Sequence, residues 1–125
     1  MAQTVNTPNA PEAIGPYSQA VRSGNVLYCS GQIPLDPKTG QVIEGDVVAQ
    51  THQVMKNLAE VLRTQDTHFD RVIKCTIFIK NMNDFPKINE AYGSYFEGHL
   101  PARACVEVAR LPKDVEVEID CIAEC

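Results

Sequence analysis

The sequence predicts one α/β domain over residues 1–125, a mixed β-sheet with two helices packed on one face. Three observations carry this expectation. The 125 residues fall within the usual size of one compact domain and are enough for a single hydrophobic core. Segments of strand-like apolar pattern alternate with two segments of helical period. Each strand–helix–strand run is long enough for a crossover that lays a helix on a sheet.

Residues 1–16 carry three prolines and little periodicity, and read as an irregular or extended arm ending at Gly15-Pro16-Tyr17. Ser18–Arg22 and Val26–Ile33 form two extended segments joined at Ser23-Gly24-Asn25, so a hairpin is expected. The Pro-, Gly- and Asp-rich stretch 34–46 reads as a loop with a short strand at its centre. Asp46 then suits an N-cap, and Val48, His52, Met55, Ala59 and Leu62 recur at helical spacing to about Thr64. Residues 72–80 are β-branched and continuous, as in a central strand covered on both faces. Asn83 or Asp84 caps a second helix with Pro86 in its first turn and Phe85, Ile88, Tyr92, Tyr95 and Phe96 along one side. These aromatics, and His52 on its stripe, read as packing residues.

Composition narrows the function classes. Eleven basic against sixteen acidic residues give a net charge of −5, so no broad positive field attracts nucleic acid or anionic lipid. An anionic ligand must be caught by a local site. The start of the chain shows no leader pattern, and no apolar run reaches membrane-spanning length, so a cytoplasmic protein is expected. Cys29, Cys75, Cys105, Cys121 and Cys125 are an odd set without a CxxC pair and read as reduced thiols. Cys121 and Cys125 have no His nearby in sequence, so no metal site is expected.

The chemistry concentrates near the C-terminus. Two alternating segments flank Leu111-Pro112-Lys113-Asp114 and read as a hairpin in which Arg110 lies opposite Val115, Val108 opposite Val117 and Val106 opposite Ile119. In that register Arg103, Cys105 and Glu107 share a face with Glu116, Glu118 and Asp120. Like charges would then crowd across the ladder. Either the face is solvated, or it is a pocket or subunit interface where a crowded carboxylate has a raised pKa and Arg103 binds a ligand carboxylate with its planar fork.

At these residues the chain resembles the Rid, or YjgF-like, family of enamine/imine deaminases, in its RidA subgroup. The resemblance is carried by Ala13-Ile14-Gly15-Pro16-Tyr17, Ser30-Gly31-Gln32-Ile33-Pro34, Asn83-Asp84-Phe85, Pro101-Ala102-Arg103 and the run from Cys105 to Asp114. It implies a chorismate-mutase-like fold of the bacillus type, assembled as a homotrimer with three pockets at subunit interfaces. The implied activity is that of a 2-iminobutanoate/2-iminopropanoate deaminase. Enamines derived from 2-aminoacrylate pass through their imine tautomers to 2-oxo acids and ammonia, with no cofactor. The implied roles are Arg103 as substrate-carboxylate anchor, Glu118 as the group that positions or activates water, and Cys105 through its backbone carbonyl. Tyr17, Ser30, Gly31 and Asn89 line the pocket. Residues 97–100 form a connection short for the family, expected to bring His99 near the pocket, and the ending Cys121–Cys125 departs from the usual aliphatic one. A non-catalytic protein that binds small carboxylates is the alternative. A ribonuclease or translation inhibitor, claimed for relatives, is opposed by the acidic charge and the lack of a basic, aromatic surface.

Overall fold

The computed structural model describes residues 2–125. Eight elements follow in order: β1 (Gln3–Val5), β2 (Ala20–Ser23), β3 (Val26–Gln32), α1 (Val47–Arg63), β4 (Val72–Ile79), α2 (Phe85–Gly93), β5 (Ala102–Glu107) and β6 (Val117–Glu124). The strands form one six-stranded sheet in the order β1-β2-β3-β6-β4-β5. All neighbours are antiparallel except β4 and β5, which run parallel. The mixed sheet with two helices is therefore as expected.

The β2–β3 hairpin turns at Gly24, whose φ of +59° lies in the left-handed region. The arm before it is more ordered than its composition suggests. β1 pairs with β2 through Gln3↔Arg22 and Val5↔Ala20. Behind β1, the buried Gln19 amide accepts from the Thr7 N–H at 2.6 Å and donates to the carbonyls of Thr7, Ala10 and Pro11. A single side chain thus supplies the ladder bonds that a proline-rich segment cannot make for itself. In the 34–46 loop, Leu35 and Val42 form one isolated bridge in place of a strand.

Helix α1 begins where Asp46 accepts from the Ala49 N–H at 2.9 Å, the cap expected from sequence. Its deepest side chains are Val54, Met55, Leu58, Val61 and Leu62. Val48 and Ala59 are only partly buried. Met55 and Leu62 of the expected stripe are thus core, while Val48 and His52 border a groove shared with Lys87, Glu90 and Ser94, because α1 packs against α2 as well as the sheet. Helix α2 stops at Gly93, short of the expected aromatic run, yet Phe96 still closes on Tyr92 at 4.9 Å and Phe69 at 5.4 Å.

Two expectations are overturned. β4 is an inner strand, next to the edge strand β5, and is covered on one face only: Cys75, Ile77 and Ile79 are buried, whereas Thr76 and Phe78 are half-buried and Lys74 is exposed. Its β-branched residues hide the alternation. The C-terminal hairpin does not form. β4 lies between β5 and β6, pairing Cys75 with both Arg103 and Cys121, and Ile77 with both Cys105 and Ile119. The 108–116 loop crosses this strand instead of turning back on itself. It is seated on a second small core of Ile33, Leu35, Leu111 and Val115.

Candidate active site

The inserted strand redistributes the C-terminal side chains. Arg103, Cys105 and Glu107 stand in register with the buried Cys75, Ile77 and Ile79, so they occupy the helix-covered face. Glu118 and Asp120 stand in register with Phe78 and Thr76, on the face that no helix covers. Arg103 and Glu118 therefore lie on opposite faces of one sheet, contrary to the expected shared face.

On the covered face, Arg103 meets α2. Its Nη1 donates to Asn89 Oδ1 at 2.5 Å, and its guanidinium carbon lies 5.3 Å from the Phe85 ring centre and 5.5 Å from that of Tyr92. Each such cation–ring contact contributes about 0.5–1 kcal/mol at an exposed site. Among the described residues no carboxylate lies within ion-pair distance of Arg103. A cleft of about 420 Å³ opens here, bounded by Asn89, Tyr92, Gly93, Leu100, Pro101 and Arg103. His99 does not join it, because its Nε2 hydrogen-bonds the Val72 carbonyl at 2.8 Å, and a carbonyl can only accept. The short connection presents Leu100, 78% exposed, instead.

On the open face, Glu118 sits in a separate cavity of about 350 Å³ with Tyr17, Ser30, Gly31, Ile33 and Pro112. Its side chain lies directly over Gly31: a Cβ added there would meet Glu118 Cδ at 3.0 Å and Cγ at 3.1 Å and would collide with Oε2. Glycine is thus required by close approach, with no positive φ involved. Burial, and then the neighbouring Asp120 carboxylate, hold the Glu118 carboxyl above its ordinary range. The Ser30 hydroxyl donates to the Ser18 carbonyl at 2.6 Å, and the Ser30 N–H to the Gln19 carbonyl at 2.9 Å, which fixes the segment carrying Tyr17. Across the loop, Asn57 of α1 donates to the carbonyls of Ile33 and Leu35 at 3.4 and 3.0 Å. Pro112 is held by a turn in which Lys113 and Asp114 both adopt φ of +56° and Arg110 grips Asp114 through two hydrogen bonds of 2.7 and 3.2 Å.

The seven site residues read from sequence thus fall into two groups. Arg103 and Asn89 share the first cleft, with Cys105 two residues along the same strand face; Glu118, Tyr17, Ser30 and Gly31 share the second. Burial raises the Cys105 thiol pKa, with Arg103 opposing, so the side chain is a poor nucleophile. As the edge of the sheet, β5 leaves alternate backbone groups without a strand partner. Sequence reading left Phe85 and Tyr92 to the core, yet Phe85, Asn89 and Tyr92 recur at i, i+4 and i+7, one face of a helix, and all three meet Arg103. Among the described residues, no group of three or more His, Cys, Asp or Glu could hold a metal ion, and no helix is long and apolar enough to cross a membrane.

Comparison with known proteins places this arrangement. The chain is 51% identical over 123 residues to a RutC family protein of Pyrococcus horikoshii, covering 98% of both chains. It is 48% identical over 126 residues to the 2-iminobutanoate/2-iminopropanoate deaminase of Escherichia coli K12, again covering 98% of both. The crystal structure of a Rid family protein of unknown function from Yersinia pestis superposes with a TM-score of 0.97 at 48% identity over the full length of both chains. The family model described as Endoribonuclease L-PSP matches residues 7–125. This chain therefore belongs to the Endoribonuclease L-PSP family, the Rid, or YjgF-like, family that its motifs resemble.

Proposed function

We propose that the protein is a cofactor-independent imine deaminase that hydrolyses 2-imino acids to 2-oxo acids and ammonia, at sites shared between neighbouring copies in a homotrimer. The observation that carries this reading is the unpaired, pre-positioned Arg103 guanidinium, a receptor for one small carboxylate. The near-full-length identity to proteins named as 2-iminobutanoate/2-iminopropanoate deaminases supports it. The split of Arg103 and Glu118 between sheet faces supports an intersubunit site, since one copy cannot direct both groups at one small molecule. The open face, with Tyr28 and Val106 exposed and Phe78 and Ile122 half-buried, supplies apolar surface for such an assembly.

In this mechanism Arg103 of one copy pairs with the substrate carboxylate through two parallel N–H···O bonds and fixes the C=N carbon. Glu118 of the neighbouring copy takes a proton from a water as its oxygen bonds to that carbon, and the C=N π electrons move to nitrogen. The resulting carbinolamine receives the proton at nitrogen from the Glu118 carboxyl. The hydroxyl proton then passes through the Glu118 carboxylate to the nitrogen as the C–N bond breaks, so that ammonia leaves with the bonding pair and the 2-oxo acid remains. A carboxyl whose pKa is raised by burial is a stronger base than an ordinary one, which suits this shuttle. The backbone carbonyl of Cys105 would accept from the imine N–H or the water. An imine is already electrophilic, so fixing it beside an oriented water is enough.

The test is to generate 2-iminobutanoate enzymatically in the presence of the protein and follow 2-oxobutanoate release. Wild type accelerates release over buffer. Arg103→Ala loses that acceleration, and an Arg103→Ala protein as fast as wild type would remove the anchor from the mechanism. Binding of 2-oxobutanoate with no acceleration by wild type would establish the non-catalytic alternative. The net charge of −5 continues to oppose a ribonuclease.

A further inference from the structure

We infer that Phe85 and Tyr92 are positioning residues, whose ring faces hold the Arg103 guanidinium in place while leaving its charge free for a ligand carboxylate. The kinetic consequence rests on the imine-hydrolase reading; the placement of the cation rests on geometry alone.

An exposed arginine carries many rotamers, and binding a small anion with it requires that freedom to be lost beforehand or at binding. An Asp or Glu partner would restrict the side chain, but it would also occupy the planar fork and compete with the ligand. Here the restriction comes from groups with only partial negative charge. The two ring faces lie 5.3 and 5.5 Å from the guanidinium carbon, and the Asn89 amide oxygen takes one of five N–H donors. Phe85, Asn89 and Tyr92 project from one face of α2, so a single rigid helix sets all three. Tyr92 in turn is fixed by burial at 4% exposure and by Phe96 at 4.9 Å.

The Tyr92 hydroxyl sharpens the point. It is buried and makes no hydrogen bond of ordinary geometry, and the group beside it is the Cys75 thiol, a weak partner. A tyrosine used for its hydroxyl would have it satisfied. What Tyr92 offers the site is the ring under Arg103, which phenylalanine supplies equally.

The test combines NMR of the Arg103 side chain with kinetics and ligand binding. In wild type, ring currents shift the Arg103 Nε–H and Cδ protons upfield, and Phe85→Leu returns them toward ordinary positions. In the same variant the KM for 2-iminobutanoate and the Kd for 2-oxobutanoate both rise about two- to fivefold, the span of one cation–ring contact at an exposed site. kcat stays within about twofold, since ground-state and transition-state carboxylate binding are lost together. A merely structural loss in Phe85→Leu would instead lower folded fraction and kcat at constant KM. A Phe85→Leu protein that loses the upfield shift yet keeps KM and Kd overturns the inference. So does a wild type without any upfield shift. If wild type hydrolyses no imine, the functional reading fails separately, and 2-oxobutanoate decides this one: weaker binding by Phe85→Leu supports it and equal binding overturns it.

Discussion

Mixing two inactive variants isolates the consequence of placing Arg103 and Glu118 on opposite sheet faces. A charged hydrogen-bonding group that contacts substrate contributes about 1.5–3 kcal/mol, so Arg103→Ala and Glu118→Gln should each retain only about 1–10% of wild-type kcat/KM. If, as proposed, sites are shared around a closed ring of copies, every site takes Arg103 from one subunit and Glu118 from its neighbour. If the two variants are unfolded together in equal amounts and refolded, a site is complete only when an Arg103-bearing chain precedes a Glu118-bearing one, which occurs at about a quarter of interfaces. Activity in the imine assay should therefore rise well above that of either variant, toward one quarter of wild type. Native mass spectrometry would establish that mixed oligomers had formed. Mixed oligomers with no gain in rate would refute the shared site and, with it, the inference from sheet faces to assembly.

Three further outcomes are expected. Gly31→Ala should push the Glu118 side chain from its seat, lowering kcat by about tenfold or more at little cost in stability, because the added carbon takes the space of the carboxylate, the far end of a side chain that can swing away from the site. Glu118 should also shape the pH dependence of stability. Its pKa in the folded protein lies above the ordinary 4.5, so the folded state holds the proton more tightly than the unfolded one, and stability falls as pH rises from about 4.5 through the raised value. Urea titrations across pH 4–8 should show that decline flattened in Glu118→Gln, and a decline unchanged by the substitution would contradict the assignment. Gln19→Ala should cost about 2–3 kcal/mol in urea unfolding, since it strands the Thr7 N–H and the buried carbonyls of Ala10 and Pro11; limited proteolysis should then cut within residues 6–13.

The two helices, the β2–β3 hairpin and the Asp46 cap were legible because each is specified by neighbours in sequence. Pairing was not. The alternation in β5 and β6 records which side chains share a face within one strand, and any partner satisfies it equally. Leu111-Pro112-Lys113-Asp114 has turn chemistry and does turn, with Lys113 and Asp114 in the left-handed region, but nothing local says that β4 enters between the strands. With β4 between them, Arg103 and Glu118 line two separate cavities rather than one pocket. The site residues themselves came from motif resemblance, which names positions without geometry. Phe85 and Tyr92 were passed over because an aromatic at helical spacing meets the requirements of a core whether or not a cation lies on its outer face. His99 was misplaced for a simpler reason: its backbone partner, the Val72 carbonyl, lies 27 residues away.

The pairing that divides the site also aligns three thiols. Cys29 is opposite Cys121, and Cys121 opposite Cys75, in a row across β3, β6 and β4, all buried and all free. Burial pushes the Cys75 thiol up to about 11, and a hydrogen bond to Cys29 together with burial raises Cys121, so neither is a thiolate at neutral pH. Cys105 and Cys125 are only half-buried. The chain thus carries its own graded clock of opening: an alkylating reagent should label the two outer thiols first, and the central three together, at the rate at which the middle of the sheet parts.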